Sequence, residues 1–229
     1  MDDDTGGEAV RVVSVEKGAF GTARIGAAGG LSFYVRADAL EALRGDPSFP
    51  APGQVLDEAW RDALGRADEA SRAAYKGLEL LARAEHTRLL LSRKLAARDF
   101  PNEAVELALE LLEAEGALSA ERYAEAWVRS RVARGGKGPA ELLSGLLARG
   151  VDGELARAAL ARLFGPDERA RAIRDLCSGK LARRDEAERR SRLRAVGFGA
   201  AEIRMALEED EGEGFEVGDA GSDGDEGRS

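Results

Sequence analysis

Apolar positions along the chain change period once, near residue 72. Before that point they come in short runs. Val10, Val12, Val13 and Val15 form one, Phe20 to Ile25 a second and Leu31 to Val35 a third, with Gly26 and Gly29-Gly30 between the later two. Short β-prone runs bounded by glycines predict a small sheet of two or three strands with glycine turns. A short helix is predicted over residues 37–44. Pro47, Pro50, Pro52 and Gly53 then break the chain. A second helix is predicted from near Gln54 towards Ser71, with a weak point at Gly65.

From residue 72 the apolar spacing is helical. Leu78, Leu81 and Ala82 mark one helix, and Leu90, Leu91, Lys94 and Leu95 a second. Val105, Ala108, Leu109 and Leu112 mark a third, with Pro101 in its first turn and Gly116 at its end. Ser119 caps a helix that starts at Ala120, carries Arg122, Tyr123, Trp127 and Val128, and stops at Gly135-Gly136. Pro139 opens another, with Leu142, Leu143, Leu146 and Leu147, closed by Gly150. Asp152 caps the next, with Leu155, Ala159, Leu160 and Leu163. After Gly165-Pro166-Asp167 come helices through Ala172, Ile173 and Leu176, from about Asp185 to Val196, and through Ile203, Ala206 and Leu207. Beyond Glu208 the chain is Glu, Asp, Gly and Ser with almost nothing to bury, and disorder is expected.

Three stretches of this helical region are alike. They are Leu95…Phe100…Val105…Ala108-Leu109, Leu147…Val151…Leu155…Ala159-Leu160 and Leu193…Phe198…Ile203…Ala206-Leu207. Asp99, Gly150 and Gly197 precede the anchors Phe100, Val151 and Phe198, and these residue types tolerate a left-handed helix end. The anchors lie 51 and 47 residues apart, which fits three short helices repeated three times. The expectation is a mostly α protein: three tandem three-helix repeats forming an elongated curved array, a small β-containing N-terminal segment and a disordered acidic C-terminal tail. The boundaries predicted are 1–71 for the N-terminal region, 72–118, 119–164 and 165–209 for the repeats, and 210–229 for the tail.

Composition narrows the chemistry. Of 229 residues, 44% are apolar, 34% charged and 5% aromatic, so a soluble helical body is expected. No run of 18 apolar residues exists, and the acidic start Met1-Asp2-Asp3-Asp4 does not resemble a secretory signal. The single cysteine, Cys177, forms no internal disulfide, and a reducing cytoplasm is expected. With one histidine, His86, a His-rich or Cys-rich metal site is not buildable. No metal, no cofactor and no enzymatic activity are expected. The net charge of −9 is unevenly spread: residues 1–70 carry −6, residues 71–207 carry +6 and residues 208–229 carry −9.

Candidate residues follow from that distribution. His86 reads as a helix-start polar residue rather than a catalytic base, since no nucleophile is spaced around it. Cys177 has Arg174 and Lys180 nearby, yet reads as an inert helix cysteine. Gly135-Gly136-Lys137-Gly138-Pro139 lacks the spacing and the Ser or Thr of a phosphate loop, and reads as a hinge. Its free amides at a helix start remain a possible seat for a phosphate or carboxylate. The stronger signal is two basic clusters. One is Arg129, Arg131, Arg134 and Lys137; the other is Arg183, Arg184, Arg189, Arg190, Arg192 and Arg194. Charge alone supports contact with DNA or an acidic protein and a merely solvated face equally. The acidic tail beside the basic body suggests intramolecular screening of these cations.

The same residues resemble the RecX family of bacterial recombination regulators over roughly 78–207. The likeness rests on Arg83-Ala84-Glu85-His86-Thr87-Arg88 with Lys94-Leu95, and on Arg122-Tyr123-Ala124 with Trp127-Val128 and Arg131. It continues in Gly136-Lys137-Gly138-Pro139 with Leu142, Leu146 and Gly150-Val151, and in Gly197-Phe198 with Ile203 and Ala206-Leu207. The resemblance implies tandem three-helix repeats. It also implies a monomeric, non-enzymatic regulator that binds the RecA recombinase in its filament on DNA. Such a regulator is expected to inhibit ATPase and strand exchange in recombination, DNA repair and the SOS response. A helical DNA-binding module without a recombinase partner is the alternative. The glycine-rich start and the acidic tail depart from the family pattern.

Overall fold

The computed structural model describes the backbone of residues 10–213 and the side chains up to Glu208. The chain divides into two compact units, Met1–Tyr123 with Arg149–Val151, and Ala124–Ala148 with Asp152–Ser229.

In the first unit the β-prone runs become β1 (Val10–Lys17), β2 (Thr22–Ala27) and β3 (Leu31–Arg36), with α1 (Ala37–Arg44) behind them. A fourth strand, β4 (Val55–Leu56), pairs antiparallel with β1 and gives the order β3-β2-β1-β4. The pairing puts Val12, Ala23, Ile25, Ala27 and Val35 inside. The residues expected to start a helix near Gln54 therefore add a strand, and α2 (Glu58–Leu81) starts behind Asp57, whose carboxylate accepts from the Trp60 N–H at 2.7 Å. A two-residue strand has no periodicity to read.

Helix α2 runs unbroken through Gly65 and across residue 72, where the first repeat was expected to begin. A glycine there costs about 1 kcal/mol. Against that, Ala63, Leu64, Ala67, Ala70, Ala73, Ala74 and Gly77 are all buried along one face. Gly77 brings α2 close to α4 (Asn102–Ala114): a Cβ there would lie 2.6 Å from Leu112 Cδ1. The N-terminal half of α2 also closes the sheet. The Tyr34 N–H donates to Asp68 Oδ1 at 2.6 Å and the Arg36 N–H donates to Ser71 Oγ at 3.0 Å. Side chains of α2 thereby satisfy donors on the outer edge of β3. One helix thus joins two hydrophobic clusters. The first holds Val12, Ile25, Val35, Leu40, Leu56 and Leu64. The second holds Leu91 and Leu95 of α3 (Arg88–Ala96) with Val105, Leu109 and Leu112 of α4.

Arg36 ties this unit together electrostatically. Its side chain is 10% exposed and its guanidinium meets both Asp38 and Glu115. Burial pushes the Asp38 carboxyl up, but the Arg36 hydrogen bond and charge and the Ala39 N–H hold it below the usual aspartate value. A depressed carboxyl contributes stability that is present above its unfolded pKa and lost as pH falls through the folded value. Arg36→Met is expected to destabilise the chain by about 1–3 kcal/mol at neutral pH. It should also flatten the loss of stability below about pH 4. Urea unfolding of both proteins at neutral pH and across the acid range checks both effects.

The second unit contains most of α5 (Ala120–Arg134), within which the division falls. It also holds α6 (Pro139–Leu147), α7 (Gly153–Leu163), α8 (Pro166–Ser178), α9 (Glu186–Ala195) and α10 (Ala200–Glu213). Leu142 of α6 and Phe164 at the end of α7 share one core with Ala172, Ile173, Leu176, Leu193, Phe198, Ile203 and Ala206. The expected boundary at 164/165 thus lies inside a single core. The repeat is visible in the backbone: Asp99 (φ 63°), Gly150 (φ 78°) and Gly197 (φ 96°) all take left-handed conformations. Val151 and Phe198 behind the last two are buried and Phe100 is half-buried. Helix α10 continues to Glu213, past the expected end at Glu208; residues 214–229 of the expected tail lie outside the described residues. No helix among the described residues is long and apolar enough to cross a membrane.

Candidate functional site

The positive charge is concentrated beyond residue 123. Residues 71–123 carry 8 basic and 9 acidic side chains, whereas residues 124–208 carry 18 and 12. The candidate surface is therefore built from α5, α8, α9 and the loop between α5 and α6.

That loop, Gly135 to Gly138, is fixed by close packing. Gly135 and Gly136 take consecutive left-handed φ values of 67° and 64°. A Cβ on Gly135 would lie 3.1 Å from Asp175 Cγ on α8. A Cβ on Gly138 would lie 2.6 Å from Val196 Cγ2 and 2.7 Å from its Cβ. The Ala140 N–H donates to Val196 O at 3.0 Å, and Lys180 Nζ lies 3.5 Å from Gly136 O. The start of α6 is thus docked on the end of α9, and Lys137 and Arg134 sit on the same seam as Lys180 and Arg194.

The same contacts take up two amides of the anion seat left open by the sequence. The Gly138 N–H donates to Glu141 Oε2 at 3.1 Å, the Ala140 N–H is taken by Val196, and Pro139 has none. A carboxylate of the chain already occupies the helix start.

The ten cations separate into engaged and available groups. Arg131 lies over the Trp127 ring, 5.2 Å from its centroid. Arg129 and Lys137 each stand 4.0 Å from a carboxylate, of Glu125 and Glu141. Arg184 pairs with Glu188 at 3.3 Å and Arg190 with Glu186 at 2.5 Å. Arg189 is structural: its guanidinium donates to Leu181 O at 3.2 Å and Ala182 O at 2.9 Å, closing the turn after α8. Arg134, Arg183, Arg192 and Arg194 are exposed and make no ion pair among the described residues.

The α9 arginines do not form one face. At about 100° per residue, Arg190 and Arg194 share one flank, and Arg192 lies on the other with Arg189. Buried Leu193 lies between the two flanks. Arg190 and Arg194 line a shallow groove with Glu186, Ala187 and Ser191.

The remaining candidates fall into structural positions. His86 is buried, with Nδ1 2.7 Å from Ala84 O, and the adjacent Thr87 caps α3 by accepting from the Leu90 N–H at 3.2 Å. Cys177 is buried in the second unit's core. Sequence reasoning missed the partnership between two quoted motifs. Glu85 pairs with Arg122 at 2.8 Å, and Arg122 also donates to Gly116 O and Ala117 O. Nor did it find Arg169, which lies 5.6 Å and 5.9 Å from the Phe164 and Phe198 rings and grips the Glu202 carboxylate. Such pairings join residues 33 and 37 apart, beyond any local pattern. Among the described residues, no group of His, Cys, Asp and Glu is arranged to hold a metal ion.

Comparison with known proteins places these features. Residues 121–160, which contain the α5–α6 loop, match the second three-helix domain of RecX. The chain is 42% identical over 146 residues to the regulatory protein RecX of Halorhodospira halophila, covering 62% of this chain and 89% of that one. It is 37% identical over 156 residues to the regulatory protein RecX of Mycolicibacterium vanbaalenii, covering 66% and 83%. A crystal structure of regulatory protein RecX shares its fold, with a TM-score of 0.68 at 24% identity over 87% of this chain and 99% of that one.

Proposed function

The chain belongs to the RecX family, and from that membership we propose that it binds the RecA recombinase filament on DNA and lowers its ATPase and strand-exchange activity. The observation that carries the reading is the match of residues 121–160 to RecX, since that segment holds Arg129, Arg131 and Arg134 on α5 and Lys137 on the closely packed loop behind it. The relatives are regulatory proteins by name, and this chain offers a regulator a cationic surface with available arginines.

The proposed action is binding without chemistry of its own, in the cytoplasm, where recombination and repair take place. A cationic surface seated on a nucleoprotein polymer gains from phosphates and from acidic protein patches alike. Binding that favours a filament state poor in hydrolysis shifts the population towards that state by its differential affinity. The four arginines without ion pairs favour a second reading, direct contact with DNA independent of the recombinase.

The test is the single-stranded-DNA-dependent ATPase of RecA with the full chain titrated in. The expected result is a saturable fall in rate at substoichiometric to equimolar protein. An unchanged rate at saturating protein overturns the proposal.

A further inference from the structure

We propose that the acidic C-terminal run, from Glu208 to the end of the chain, docks on the cationic seam of the second unit and competes there with polyanions. The seam is formed by Arg134, Lys137 and Lys180 around the α5–α6 loop and by Arg194 near the end of α9, on which the start of α6 docks. Screening was foreshadowed by charge alone. The structure identifies the seam, on which Arg134 and Arg194 are exposed and make no ion pair among the described residues.

The reason lies in the sequence of the run. Glu208, Glu209, Asp210, Glu211 and Glu213 follow one another without a cation. Like charges so close along the chain repel, and a cationic partner relieves the repulsion. Residues 214–229 add five more carboxylates, Glu216, Asp219, Asp223, Asp225 and Glu226, against one cation, Arg228. The available cations lie in the same compact unit, in which α10 packs on α8 and α9.

Reach is sufficient. The 16 residues after Glu213 span up to about 50–55 Å when extended. A unit of roughly 100 residues has a radius of gyration of about 13 Å, so its whole surface is accessible to the tether. Tethering also raises the effective concentration of the acidic run into the millimolar range, about what weak multivalent ion pairing needs.

The occupant is tested without recombinase or DNA, so this inference and the proposed function fail separately. The chain has five lysines, and two of them, Lys137 and Lys180, lie on the seam. A carbodiimide joins carboxylate to amine with no spacer. The full chain, treated in about 50 mM salt, is expected to yield intramolecular links from the acidic run to Lys137 and Lys180 that vanish at high salt. Links spread equally over Lys17, Lys76 and Lys94, or links between molecules, overturn the docking.

Competition is read on a second full-length protein carrying E216Q, D219N, D223N, D225N and E226Q. If the run covers the seam nine-tenths of the time, apparent affinity for an oligothymidine rises about tenfold when it is neutralised. An unchanged affinity and salt slope overturns the competition.

Discussion

Gly138→Val is expected to destabilise the second unit by about 2–4 kcal/mol, the largest single-residue effect in the α5–α6 loop. For a unit of roughly 100 residues this lowers the melting temperature by about 10–20 °C. The cause is steric and not conformational. Gly138 has an ordinary φ of −87°, so its backbone accepts any residue, but a Cβ would collide with the Val196 side chain. The collision separates α6 from α9 and breaks the Ala140 to Val196 hydrogen bond. Two glycines nearby in character serve as controls. Gly136→Ala meets no neighbour but must hold a φ of 64°, and costs about 1 kcal/mol. Gly65→Ala meets neither obstacle in mid-helix and stabilises by about 0.5–1 kcal/mol. Thermal unfolding of the three variants orders them, and the reverse order for Gly138 and Gly136 contradicts the packing account.

Replacing Arg134, Arg183, Arg192 and Arg194 together by serine is expected to weaken polyanion or filament binding by about 100-fold or more near 0.1 M salt. If the contacts are phosphates, the salt slope falls by about 3 to 4. Folding stability should hold, because exposed substitutions away from special features change it by less than about 0.5 kcal/mol each. The comparison is a triple variant of Arg129, Arg184 and Arg190, whose charges stand beside Glu125, Glu188 and Glu186. Those arginines are partly neutralised in place, so their loss should cost about tenfold or less. Binding titrations of the two variants over a salt series check the distinction, and equal losses contradict it.

Much of this fold is written in local pattern. α1 occupies 37–44 as predicted, and Ser119, Asp152 and Asp185 cap the helices they precede. The three-fold repeat is carried by Asp99, Gly150 and Gly197, whose left-handed backbones follow from residue type. What was not legible depends on contacts distant in sequence. β4 exists only because β1 offers it partners. α2 passes Gly65 and residue 72 because tertiary packing of its alanine face outweighs one glycine. The single core shared by α6 to α10 follows from docking at Val196, which no spacing encodes.

The candidate surface was legible only in part. Charge counting found all ten cations but not their state. Arg189 spends its donors on the turn after α8, and Arg131 lies over Trp127. Arg192 and Arg194, on either side of Leu193 in sequence, leave α9 on opposite flanks. Two amides at the start of α6, those of Gly138 and Ala140, are filled by Glu141 and Val196. Each outcome depends on a neighbour's position, and composition carries no record of it.

The central claim is that this member of the RecX family recognises a recombinase on DNA and not DNA alone. Its most direct test is equilibrium binding of the labelled full chain to one single-stranded oligonucleotide, bare or coated with RecA in the presence of a non-hydrolysable nucleotide. The account predicts at least tenfold tighter binding to the coated strand, about 1.4 kcal/mol, persisting at salt that abolishes binding to the bare one. Equal affinity for both, lost together as salt rises, would contradict it.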